Sequence, residues 1–150
     1  MGILGQLPAP SDGGSIRNAY DTFLHFLADN LQDIPVNPVR RQPARANADT
    51  LAMNALNVSV MALDPDVHVS ILQLSLDVVN DDELTAVDWV DAIWALLNAA
   101  LMTPKESYKT GIPVYQGSNL FWNKSIKFLK VHSDFYAHYT CKITIHTSNF

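Results

Sequence analysis

The stretch that decides the fold is residues 70–97, SILQLSLDVVNDDELTAVDWVDAIWALL. It opens on Leu72, Leu74, Leu76 and Val78, which alternate with their neighbours as one face of a strand does. Asn80-Asp81-Asp82 closes that strand. The apolar period then changes from two to 3.6. Ala86, Val90, Ile93, Leu97, Ala100 and Leu101 form a stripe, so a helix is expected to run to about residue 102 and to stop before Pro104. Thr85-Ala86-Val87-Asp88 has the spacing of a capping box with Asp in the Glu position, and acids at a helix start suit the macrodipole. Trp89, Trp94 and Leu96 widen the apolar arc, leaving only Asp88, Asp91 and Asn98 as a narrow polar strip. A helix apolar nearly all round is expected to be buried on more than one side.

Just upstream, residues 55–63 alternate Leu56, Val58, Val60 and Ala62 against Asn57, Ser59 and Met61. Asp64-Pro65-Asp66 is a turn signal, so this strand and the next form an antiparallel hairpin. The apolar phase of the second strand slips midway: Val67, Val69 and Ile71 fall on odd numbers, the leucines after them on even ones. A bulge near Ile71-Leu72 explains the slip, and so does a strand covered on both faces at its centre. Downstream, residues 103–118 read as a loop and residues 119–132 as an irregular strand. After a turn at Ser133-Asp134, residues 135–147 alternate. Phe135, Ala137, Tyr139, Cys141, Ile143 and Ile145 share one face; Tyr136, His138, Thr140, Lys142, Thr144 and His146 share the other.

A first helix is expected from Ser15, a favoured N-cap residue, to about Gln32. Its buried stripe is Ile16, Ala19, Tyr20, Phe23, Leu24, Leu27 and Leu31, with Arg17, Asn18, Asp21 and Asp29 opposite. Residues 1–14 read as a flexible arm, and residues 32–50 as a long proline-rich loop. The sequence therefore predicts one α+β domain. It consists of an antiparallel or mixed sheet of about four strands with two main helices packed on it.

The chain has 150 residues, 48% hydrophobic and 17% charged, with a net charge of −5. One domain of this length buries a real core. Charge is scarce for a soluble protein, which implies that part of the surface is covered. It is also segregated. Residues 1–50 carry a net −1, residues 51–100 carry eight acids and no Lys or Arg, and residues 101–150 carry a net +4. Phosphate contacts need a basic stripe, so general nucleic-acid binding is excluded. The lone Cys141 forms no internal disulfide. The N-terminal stretch lacks the form of a signal peptide, and Asp88 and Asp91 argue against a membrane span over residues 84–102. The expected protein is soluble and intracellular.

The search for chemistry ends in structural readings. His138 and His146 share a strand face but lie eight residues apart, about 26 Å, too far to hold one ion. Cys141 falls on an apolar strand face, where a thiol is structural. No nucleophile elbow occurs, and Gly13-Gly14 lacks the rest of a phosphate loop. Asp81, Asp82 and Glu83 read as a solvated helix start rather than an ion site. Trp122 reads as packing at a core edge rather than as a base-stacking platform. No catalytic residue, cofactor or metal site is assigned.

Three segments carry a resemblance: the amphipathic first helix with its extended loop, the strand–acid–helix run of residues 67–97, and the final strand FYAHYTCKITIHT at 135–147. In this layout the chain resembles the tail terminator proteins of long-tailed bacteriophages, the family of the lambda minor tail protein U. The three segments cover about two-thirds of the sequence. The arm and the proline-rich loop are longer than the family pattern. The resemblance implies a hexameric ring that caps the tail tube, ends tail elongation and offers a surface for head attachment. Its partners would be further copies of itself, the tail tube protein and a neck or head-completion protein, with DNA only as passing cargo and no membrane. The protein would sit at the head-proximal end of the virion tail. Trp89, Trp94, Ile112, Val114, Tyr115, Arg40 and Arg41 are the candidate contact residues. Asp81, Asp82, Glu83, Asp88 and Asp91 are candidates to line the lumen, where like charge keeps passing DNA from sticking. A head–tail connector of similar fold is the neighbouring alternative. From other classes, the alternatives are a small α+β ligand-binding domain or enzyme, and an adaptor that binds along a sheet edge.

Overall fold

The computed structural model describes residues 15–39, 51–101, 119–122 and 126–148. The arm and most of the proline-rich loop lie outside these residues. The elements in chain order are α1 (Ser15–Asn30), β1 (Val36–Pro38), β2 (Ala55–Asp64), β3 (Val69–Asn80), α2 (Glu83–Leu101), β4 (Asn119–Trp122), β5 (Leu129–Val131) and β6 (Ala137–Ser148). The fold is α+β with a mixed sheet. Its strand order is β1-β2-β3-β6-β4, with β5 also paired to β6. β3 takes one edge of β6 along its whole length. β4 and β5 therefore share the other edge, β4 against residues 145–148 and β5 against residues 138–140.

The sheet has six strands rather than four because the edge positions are filled by short pieces. β1 is three residues between Pro35 and Val39, and it runs parallel to β2. Leu56 N donates to Pro35 O at 2.8 Å and Val39 N to Val58 O at 2.8 Å. Pro38 has no N–H to donate, which an edge strand tolerates. Three residues carry too short a pattern to separate from a loop by periodicity. The irregular stretch after residue 118 similarly resolves into β4 and β5, broken between Trp122 and Leu129.

β3 pairs with β6 without interruption, from Val69↔Ser148 to Asn80↔Ala137. The register shift lies in β2 between Val60 and Ala62, which makes Met61 the extra residue. The bulge is thus in the partner strand, not at Ile71-Leu72. What disturbs the apolar phase of β3 is its central position. Leu72, Leu74, Leu76 and Val78 face the helices, while Ser75, Asp77 and Val79 are buried on the opposite face.

Both helices pack on the first of these faces. Phe23, Leu24, Phe26 and Leu27 of α1 and Ala86, Ile93 and Leu97 of α2 join one core with Leu56, Val58, Ile143 and Ile145. Trp122 links the two helices. Its ring meets Phe23 edge-on at 5.5 Å and Phe26 at 5.7 Å, and its Nε1 donates to Leu97 O at 3.1 Å. Core packing is therefore its role. Asp21, expected on the outer face of α1, is buried and held by Arg17 at 3.1 Å. Arg17 stays half exposed one turn earlier, so its stem covers the carboxylate.

Candidate functional site

The most unusual surface belongs to α2. A helix lying on a sheet buries one stripe, and here that stripe is Ala86, Ile93 and Leu97, flanked by half-buried Trp89, Val90 and Leu96. The opposite side is open. Leu84 is 74% exposed, Val87 45% and Trp94 46%. Positions 84, 87, 91 and 94 lie at spacings of three and four, so these apolar groups form one outward stripe with Asp91 in it and Asp88 alongside. The sheet takes one side, and no described residue covers the other. Of the two tryptophans on this helix, Trp89 is half-buried against the core and Trp94 stands outward.

The five acids do not act as one group. Asp82 is the N-cap of α2. Its carboxylate accepts from Thr85 N at 2.9 Å and Thr85 Oγ1 at 2.7 Å, and its carbonyl accepts the first helical bond from Ala86 N. The cap thus lies three residues before the expected capping box, whose Thr85 serves as donor. Those bonds hold the Asp82 carboxyl below its usual range, the side-chain bond from Thr85 first. The cap is therefore present above about pH 4 and is lost as pH falls through the lowered value. Asp82→Ala lowers Tm while Asp82→Ser largely preserves it, which thermal unfolding by circular dichroism checks. Glu83 accepts from Lys130 at 2.9 Å and from the Tyr139 hydroxyl, tying the start of α2 to β5 and β6. The bond from Tyr139, then that from Lys130, lowers the Glu83 carboxyl. Asp81 meets Asn54, whose positive φ of 57° forms the turn into β2. Asp88 and Asp91 are exposed on the outward face of α2. Arg40, Arg41, Ile112, Val114 and Tyr115 lie outside the described residues.

A second polar arrangement sits on the far face of the sheet. Asp77 Oδ1 and His138 Nε2 are 2.8 Å apart and buried. Ser75 Oγ donates to Asp77 Oδ2 at 2.8 Å and lies 3.4 Å from Thr140 Oγ1. Burial alone would raise the Asp77 carboxyl, but the bonds from His138, Ser75 and Thr140 outweigh it and hold the group below its usual range. An ionised carboxylate only accepts, so His138 Nε2 carries the hydrogen. The alternation of residues 135–147 puts His138 on the open polar face, and that placement is corrected here. Asp77 supplied the missing signal, since an acid at the centre of a hydrophobic strand needs a buried partner. Ser, His and Asp are together, but the serine hydroxyl bonds the carboxylate and not the imidazole. No base is therefore positioned to activate it.

Cys141 is buried, and that burial raises its thiol above the usual range. Among the described residues no group of His, Cys, Asp and Glu is placed to hold a metal ion. No helix among them is long and apolar enough to cross a membrane. A cavity of about 380 Å³ opens between α1 and the hairpin, walled by Ile16, Tyr20, Leu24, Val60, Leu63 and Leu72. Its described charged wall residue is Arg17, whose Nε faces Asp21. It lacks the converging polar groups that orient a ligand. Comparison of the sequence with models of known protein families and with curated proteins finds no match.

Proposed function

We propose that the protein is a structural subunit that assembles as a homo-oligomeric ring. The ring caps a bacteriophage tail tube, ends its elongation and offers a surface for head attachment. The observation that carries this reading is the outward stripe Leu84, Val87 and Trp94 on a helix whose other side is core. Exposed apolar rows of this kind mark protein–protein contacts. The layout of amphipathic helix, hairpin, acidic turn, apolar helix and alternating last strand supports the tail terminator family over an unrelated oligomer. A tail tube protein and a neck or head-completion protein are the partners this reading requires, and DNA passes through the ring as cargo. Asp81, Asp82 and Glu83 spend their side chains or backbone on the fold. Asp88 and Asp91 share the exposed face with the apolar stripe, so we assign them to the contact rather than to the lumen.

The test is assembly. Purified protein is expected to show rings by negative-stain electron microscopy and an oligomer by sedimentation velocity. Host cells infected by a phage that lacks the gene are expected to make tails of unregulated length. Trp94→Asp is expected to keep stability within about 0.5 kcal/mol of wild type, as surface changes do, while abolishing rings. A large loss of stability would place Trp94 in the core, and normal rings would remove it from the contact.

A further inference from the structure

We propose that residues 2–7 of one copy add as a strand to the open edge of β2 in a second copy, with Ile3 and Leu7 seated in the cavity beside α1. This inference rests on the ring reading and names a contact that closes the ring. β1 accompanies β2 only as far as Val58. Beyond that point no described strand lies along the outer edge of β2, and residues 61–64 are exposed. Leu56 N and Val58 O make their bonds on this outer side, to Pro35 O and Val39 N. With a period of two, Val60 turns its N–H and C=O the same way. An open strand edge is a template for pairing with another chain.

The cavity of about 380 Å³ opens at this same edge. Val60 and Leu63 form one wall and Ile16 and Tyr20 of α1 another. Val60 and Leu63 pair with Leu74 and Leu72, whose side chains face the helices. A strand laid along the edge therefore puts every second side chain into the cavity. The edge also supplies the orienting polar groups that the cavity lacks, which is how strand addition recognises a peptide.

Sequence selects the occupant. The one charged group in the described wall is Arg17, which Asp21 already holds, so an uncharged segment fits. Residues 1–11 carry no charged side chain, and GILGQL at 2–7 keeps every N–H as far as Pro8. Ile3 and Leu7 fall on one face of such a strand, with Gly5 between them. Residues 40–45 carry three arginines and Pro43, and the apolar run at 112–115 contains Pro113; a proline cannot donate to a ladder. Ile16 stands in the cavity wall, so the segment before α1 leaves the fold beside the groove. Pro8-Ala9-Pro10 favours an extended chain, over which residues 8–14 span on the order of 20 Å. That carries residues 2–7 away from their own cavity and toward a neighbour's. Each copy gives one strand and receives one, a contact between two different patches that generates a ring when its rotation closes.

Two variants of the full chain test it. Ile3→Asp with Leu7→Asp disables the donated strand, and Leu63→Asp charges the mouth of the cavity. Leu63 is 54% exposed, and Ile3 and Leu7 precede the first helix, so both variants are expected to keep the wild-type far-UV spectrum and Tm. Each alone is expected to sediment as a monomer. An equimolar mixture is expected to give a dimer and nothing larger, because the first variant can only receive a strand and the second can only donate one. A mixture that stays monomeric, as it does if the strand seats in its own copy, overturns the exchange. So does a mixture that forms full rings, or either variant assembling alone as wild type does. In each of these cases wild-type rings still uphold the ring reading. Wild-type protein that stays monomeric overturns both.

Discussion

Replacing His138 with alanine is expected to cost about 3–5 kcal/mol, the penalty for leaving a buried charge without its partner. In a chain of this length that is a fall in Tm on the order of 10 °C. His138 and Asp77 are each almost fully enclosed, and Asp77 Oδ1 has His138 Nε2 at 2.8 Å. Without the imidazole, Asp77 keeps the Ser75 and Thr140 hydroxyls but no ring donor. Asp77→Asn is expected to cost less, since the amide restores a neutral hydrogen-bonding group of the same shape. The double change Asp77→Val with His138→Leu is expected to recover much of the loss, because an apolar pair of similar volume has no desolvation penalty. Urea unfolding of the wild type and the three variants measures each cost. A His138→Ala cost under 1 kcal/mol would show that water reaches the carboxylate. The same pair sets an acid limb. The folded Asp77 carboxyl lies below the ordinary value of 3.8, so its contribution is present above about pH 4. It is lost as pH falls through the lowered value. That part of the acid transition is expected to vanish in Asp77→Asn.

The second large effect is expected at Trp122. Truncation to alanine empties the space between the two helices and costs about 3–5 kcal/mol, as Trp→Ala does in cores. The ring spans Phe23, Phe26 and the Leu97 carbonyl, so its loss loosens α1 from α2 as well as opening a cavity. Trp122→Phe keeps the edge-on aromatic contact but loses the indole N–H, and about 1 kcal/mol is expected for that bond. Near-ultraviolet dichroism and urea unfolding measure both. Equal costs for the two variants would mean that the hydrogen bond, not the packing, ties the helices.

Some of this is legible in one dimension. The helical stripes of α1 and α2 and the alternation of β6 are long patterns, and each lands within a few residues of its expected span. Local rules count neighbours along the chain, and over ten or more residues one burial period wins. β1 and β5, three residues each, carry no such count. The N-cap moved from Thr85 to Asp82 because several residues near a helix start can cap it, and the strand end decides which is used. Arg40, Arg41, Ile112, Val114 and Tyr115 remain sequence expectations.

By itself the sequence determined the α+β class, the two amphipathic helices, the hairpin with its turn at Asp64-Pro65-Asp66, and the scarcity and segregation of charge. All of these are properties of composition or of period along the chain. Only the tertiary structure decided which side of each element meets which other. It placed a parallel strand beside β2 and put the bulge at Met61. It buried Asp77 with His138, 61 residues apart in the chain, and turned Trp89 inward and Trp94 outward. The physical reason is common to these outcomes. A side chain's burial is set by the layer that packs against it, and that layer comes from residues distant in sequence. For α2, period could reveal more apolar surface than one core uses, but only packing could show which part stays open.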